Sequence, residues 1–181
     1  MTRVWVLVLL LGGGCAWTDV AGMRWYGVAM SVLALLVAAH GVRSGIRRRR
    51  ARRTVRGLRA LHPGEFETEV GRWLRREGWQ VEHRGGTGDG GIDILARRGK
   101  EMLAVQCKRY AETAAVSAAQ VRDLYGAAIA EGSTQAALVT TGRISRAATA
   151  WCESLPAGPR FRLFDAAAVG ELAAGRARFR A

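Results

Sequence analysis

Asp93, Gln106 and Lys108 are the residues whose types and spacing could do chemistry together. They fall within G-G-T-G-D-G-G-I-D-I-L-A-R-R-G-K-E-M-L-A-V-Q-C-K-R-Y, Gly85 to Tyr110. A carboxylate with a second oxygen ligand suits a hard cation such as Mg2+, and a nearby ammonium suits hydrolysis of a phosphate ester. The three can converge only if the chain folds back between them. The sequence supplies that reversal: a short apolar run, Ile92 to Ala96, a charged turn, Arg97 to Glu101, and a second apolar run, Met102 to Lys108. Side chains alternate faces along a strand, so Gln106 and Lys108 share one face while Val105 and Cys107 share the other.

The glycines before Asp93 invite a second reading, a phosphate-binding loop. Gly88-Asp89-Gly90-Gly91 is not followed by Lys-Ser or Lys-Thr, and it leads into a strand instead of a helix. The helix N-terminus that such a loop aims at phosphate is therefore missing. The loop is read as the lead that delivers Asp93. Asp89 either touches a second cation or bonds its own loop backbone.

The surrounding elements are set by periodicity and punctuation. Pro63 opens a helix whose start holds Glu65, Glu67 and Glu69, as the helix dipole favours. Phe66, Val70, Trp73 and Leu74 form one apolar face, and Gly78 stops the helix. Glu65 and Glu69 read as solvated first-turn charges. Trp79 to His83 is a short strand. After the hairpin come a helix from about Ser117 to Ala130, a strand from Ala136 to Thr141, a helix capped by Ser145, a strand from Phe161 to Phe164, and a closing helix capped by Asp165. That order is α/β, a three-strand meander and then crossovers.

The formal charge of +13 points to nucleic acid until it is divided along the chain. Residues 1–63 carry 11 basic and 1 acidic residue, whereas residues 64–181 carry 17 and 14, net +3. Most of the excess lies outside the part that holds the motif. Cys15, Cys107 and Cys152 are odd in number and far apart, which argues against a disulfide framework and against a Cys-x-x-Cys zinc site. His40, His62 and His83 have no ligand-like spacing.

Val4 to Trp17 is almost wholly apolar, and Trp25 to Val42 is apolar for 18 residues, near the minimum for a membrane-spanning helix. A secretory signal is the rival reading of the first stretch; the second span directly after it favours a two-helix hairpin, with membrane contact through residues 4–42. Arg43 to Arg59 holds nine arginines and no acidic residue. Such a run stays on the cytoplasmic side, which places the globular domain in the cytoplasm, at the inner membrane face. It also attracts anionic lipid head groups, at roughly 1 kcal/mol per basic residue, and could gather DNA phosphates. The expected organisation is a transmembrane hairpin over residues 1–43, an Arg-rich linker over 44–60 and a globular domain over 61–181.

Several separated motifs occur in one order: Phe66-Glu67, Gly78-Trp79, Gly88-Asp89-Gly90-Gly91-Ile92-Asp93, Gln106-Cys107-Lys108-Arg109-Tyr110 and Leu138-Val139-Thr140-Thr141-Gly142. In these the chain resembles the Mrr-like restriction endonuclease catalytic domain of the PD-(D/E)xK nuclease superfamily, from about Gly64 to Leu172. The resemblance implies a mixed sheet flanked by helices and a metal-dependent endodeoxyribonuclease, type IV restriction-like, acting on foreign or modified DNA. It implies that Asp93 is the metal carboxylate, that Gln106 stands where most of the superfamily has Glu or Asp, that Lys108 is the motif lysine, and that Glu67 completes the site. Asp93, Gln106 and Glu67 would hold Mg2+ or another divalent cation such as Mn2+. Arg109 either reaches a phosphate or pairs with a surface carboxylate. Thr140, Thr141 and Gly142 are expected to shape the strand-to-helix turn, with phosphate contact as the alternative.

The rival reading is a non-catalytic DNA- or protein-binding module on an inactive nuclease fold tethered to the membrane. A lysine and an aspartate on adjacent strands can be an ordinary cross-strand ion pair. Cutting two strands with a single-site nuclease ordinarily needs two copies, so a homodimer is an expectation as well.

Overall fold

The computed structural model describes residues 23–51, 53–84, 91–155 and 159–179. The chain divides into two compact units, one ending at Arg50 and the other beginning at Ala51.

The described part of the first unit is helix α1, Met23–Ala51, whose last residue opens the second unit. Within it Val28–Ile46 is long and apolar enough to cross a membrane, with Val32, Leu33, Leu35, Leu36 and Val42 exposed. This is the single such span among the described residues. The other half of the expected hairpin, Val4 to Trp17, lies outside them. The Arg-rich run, expected as a linker, instead continues α1 through Ala51. Arginine is a good helix former, so an apolar helix can extend into an arginine run without a break.

The second unit opens with a short helix, α2 (Val55–Arg59), capped by Thr54, whose hydroxyl accepts from the Gly57 N–H. Helix α3 (Pro63–Arg76) comes next, and the Glu65 carboxylate accepts from the His62 N–H at its start. Phe66, Val70, Trp73 and Leu74 are all buried, as their spacing requires. Glu69 departs from expectation. It is 6% exposed and pairs with Arg72, because it flanks that apolar face, three residues after Phe66 and four before Trp73.

Strands β1 (Gln80–His83), β2 (Ile94–Arg98) and β3 (Glu101–Lys108) form the antiparallel meander. A two-residue strand β4 (Ala115–Val116), helix α4 (Ala118–Ala130), strand β5 (Gln135–Thr140), a two-residue strand β6 (Arg143–Ile144), helix α5 (Arg146–Glu153), strand β7 (Arg160–Phe164) and helix α6 (Ala166–Ala174) complete the order. The sheet runs β1-β2-β3-β5-β7, with β3, β5 and β7 parallel. Strands β4 and β6 pair separately. The helix starts are capped as the sequence indicates: Ser145 accepts from Ala148 N–H and Asp165 from Ala168 N–H.

Alternation along β3 and β5 divides the core in two. Leu103, Val105, Ala137 and Val139 face α3 and α6, while Ala104, Ala136 and Leu138 face α4 and α5. Strand β5 is buried at all six positions, as a central parallel strand covered on both faces must be. Leu58 of α2 is fully buried in the α3–α6 layer, so this core begins before residue 61. The result is a mixed sheet between two helical layers, which sets the start of β2 and the ends of β3 and β5 at one edge of the unit.

Candidate active site

The site is built where β2 begins and β3 ends. The Asp93 N–H donates to the Val105 carbonyl at 2.9 Å, and the Asp93 carbonyl accepts from Arg84 N–H at 2.9 Å. The residue is thus held between the ends of β1 and β3. The β2–β3 register pairs Ile94 with Val105, and because the Asp93 N–H also bonds the Val105 carbonyl, the register breaks there and Asp93 bulges beside Val105. The Asp93 carboxylate then accepts from the Cys107 N–H at 2.6 Å. A charge-assisted bond of that length fixes the carboxylate's direction.

Gln106 is 6% exposed, and its Oε1 has no hydrogen-bond partner among the described residues. A buried acceptor without a donor is costly, and it calls for something that binds oxygen. The amide nitrogen lies on the side of Gly91, where a Cβ would come within 2.7 Å of it. Gly91 also adopts φ +83, a conformation L side chains rarely take. The last glycine of the loop is therefore favoured by the turn, and a side chain there would also have to displace the end of Gln106.

Lys108 ends β3, half-buried. Its carbonyl accepts from the Thr140 hydroxyl at 2.8 Å and from Thr141 N–H at 3.2 Å. Glu67 is half-buried on the second turn of α3. The Cys107 thiol lies in the field of three charged groups. Burial pushes its pKa well up, the Asp93 and Glu67 carboxylates push it further, and the Lys108 ammonium opposes them. Three of the four expected site residues thus act on one sulfur, and the fourth, Gln106, is its chain neighbour.

The donor set fits a divalent cation on its own chemistry. Among the described residues no three His, Cys, Asp or Glu side chains gather as a metal site, and a neutral oxygen can serve a hard cation beside carboxylates. The orphaned Gln106 Oε1 is such an oxygen, and hard divalent cations accept amide oxygens readily.

Other expectations resolve differently. Asp89 lies outside the described residues. Arg109 is exposed, and its guanidinium donates to the Arg59 backbone carbonyl. Thr140 and Thr141 are fully buried and secure the end of β3: the Thr141 hydroxyl donates to the Tyr110 carbonyl at 2.7 Å. His83 stands against α3 at Gly71, where a Cβ would meet its Nε2 at 2.8 Å; burial and the Arg75 guanidinium lower its pKa. Arg59 was not singled out by the sequence, yet it bonds the Thr141 carbonyl at 2.9 Å. Nothing in a run of nine arginines distinguishes that one.

The fold is thus a five-stranded mixed sheet between helices, with a carboxylate, an amide and a lysine near adjoining strand ends. The restriction endonuclease family, in its Mrr catalytic-domain form, matches residues 58–173, and the chain belongs to it. A relative from Sinorhizobium fredii (strain NBRC 101917 / NGR234), the uncharacterized protein y4cE, is 38% identical over 125 residues, 61% of this chain and 32% of that protein. The chain therefore spans about a third of that relative. Among solved structures, the DNA modification-dependent restriction endonuclease AspBHI shares the fold, with a TM-score of 0.55 and 22% identity over 71% of this chain and 35% of its own. The MspJI restriction endonuclease, solved with a 27-mer oligonucleotide, superposes at a TM-score of 0.44 with 21% identity, over 59% of this chain and 26% of its own.

Proposed function

We propose that this protein is a membrane-anchored endonuclease that hydrolyses DNA phosphodiester bonds with a divalent metal, in restriction of foreign or modified DNA. One observation carries the reading: the Gln106 oxygen is buried and unpartnered among the described residues, on the strand end whose Cys107 N–H binds the Asp93 carboxylate. An inactive scaffold has no physical reason to retain that oxygen.

Asp93, Gln106 and Glu67 would hold Mg2+ or Mn2+, which when bound polarises the phosphodiester and lowers the pKa of a coordinated water. The protein's own contribution is orientation. The Cys107 N–H aims the Asp93 carboxylate, Gly91 leaves room for the Gln106 amide, and the Lys108 ammonium stabilises negative charge that grows on the phosphate oxygens. Cutting both strands at one place requires two such sites, so a homodimer belongs to the proposal. Anchoring through Val28–Ile46, with the catalytic unit facing the cytoplasm, is supported by the length of that span and by the arginines beyond it.

The test is a plasmid assay with the full chain in nanodiscs. Methylated and unmethylated supercoiled DNA would be incubated with MgCl2 beside Asp93→Ala and Lys108→Ala. Nicking or linearisation by the wild type, lost in both variants, is the expected result. Cleavage that survives both substitutions would remove the site assignment. DNA binding without cutting under varied divalent ions would instead favour the non-catalytic module.

A further inference from the structure

Lys108 occupies an exposed position in the sheet's hydrogen-bonding scheme. The β2–β3 ladder ends at the Ile94–Val105 pair, and among the described residues Asp93 is what bonds β3 beyond it from that side. The last three residues of β3 depend on β5, and strand ends fray when they are held from one side. A frayed end would swing the lysine away from Gln106 and Asp93.

A closed ring of hydrogen bonds prevents this. The Arg59 Nε–H donates to the Thr141 carbonyl at 2.9 Å; the Thr141 N–H donates to the Lys108 carbonyl at 3.2 Å; the Arg109 guanidinium donates back to the Arg59 carbonyl at 2.9 Å. The Lys108–Arg109 peptide closes the circuit. The Thr141 hydroxyl adds a bond to the Tyr110 carbonyl, and the Thr140 hydroxyl a second one to Lys108. Both threonines are fully buried, which partly shields these bonds from water. Arg59 additionally pairs with Glu112, but that carboxylate is 80% exposed and the contact is screened.

We propose that Arg59 is a positioning residue for Lys108. It acts through Thr141 and Arg109 and touches neither DNA nor the cation; the proposal rests on the nuclease reading and deepens it. The arginine belongs to α2, so this short helix is part of the working site and more than a connection into it.

The experiment compares the full chain in nanodiscs with Arg59→Ala, Arg109→Ala, Thr141→Val and Thr141→Ser, using supercoiled plasmid, MgCl2 and amide hydrogen exchange. For Arg59→Ala the single-turnover rate is expected to fall about ten- to a hundredfold, while the half-saturating DNA concentration stays within about twofold. Exchange at residues 108–110 and 141 should quicken about tenfold while the interior of β5 is unchanged. Thr141→Ser should keep the wild-type rate and Thr141→Val should not. A normal rate in Arg59→Ala overturns the proposal whatever the exchange shows. A rise in half-saturating DNA alone also overturns it and assigns Arg59 to DNA contact. Should the wild type cut no plasmid, the nuclease reading fails separately. Exchange then still decides whether Arg59 holds the end of β3, and unchanged exchange overturns that too.

Discussion

A Cβ at Gly91 would lie 2.7 Å from the side-chain nitrogen of Gln106, closer than two such atoms can stand. The glycine before Ile92-Asp93 is therefore tied to the glutamine 15 positions later, on the neighbouring strand. Gly91→Ala should be damaging twice over. The positive φ costs about 1–2 kcal/mol for any L side chain, and the methyl group must displace the Gln106 amide. A fall in Tm together with a loss of cleavage is expected. Gly99→Ala, also at positive φ but with open space around it, should lower Tm without touching the rate.

Asp93→Asn and Lys108→Met should each lower the cleavage rate by at least about a hundredfold. Asn keeps an oxygen to accept the Cys107 N–H and removes the charge. Its circular dichroism and Tm should therefore stay near those of the wild type, which separates lost chemistry from lost folding.

Gln106→Glu adds a third carboxylate of almost the same shape. Without metal, the new charge sits at a position only 6% exposed and should destabilise the unit, because burial penalises an ionised carboxylate. With Mg2+ the order should reverse, and titration calorimetry should show affinity raised by about tenfold. Equal metal response in both forms would count against Gln106 as a ligand.

Leu58 makes a prediction about where the catalytic unit begins. It is fully buried against the α3–α6 layer, so Leu58→Ala should cost about 2–5 kcal/mol. A fragment starting at residue 61 should lose at least as much by urea denaturation, since it also lacks Arg59.

Much of this could be read from the residues. The hairpin was legible because two apolar runs flank a charged turn, and α3 because its apolar positions repeat with one period. Other features carry no local signature. Glu69 stands in a cluster of glutamates that looks solvated, and only the layer packed against α3 decides that it is buried. Leu58 and Arg59 are hidden in a run whose charge dominates any reading of it. Strands β4 and β6, two residues each, are too short to show a pattern. The bonds from Thr140 and Thr141 to the end of β3 join residues about 30 positions apart. The resemblance marked those threonines as a motif without saying what they hold.

The Asp93 carboxylate takes its direction from the backbone N–H of residue 107, and side-chain identity there is irrelevant to that bond. Position 107 is therefore open to drift: a small residue of any kind that fits the α3 layer can replace cysteine while the aspartate stays aimed. Proline alone among the small residues is barred, since it has no hydrogen to give. A lineage carrying this site could thus discard an oxidisable thiol from the end of β3 by a single substitution.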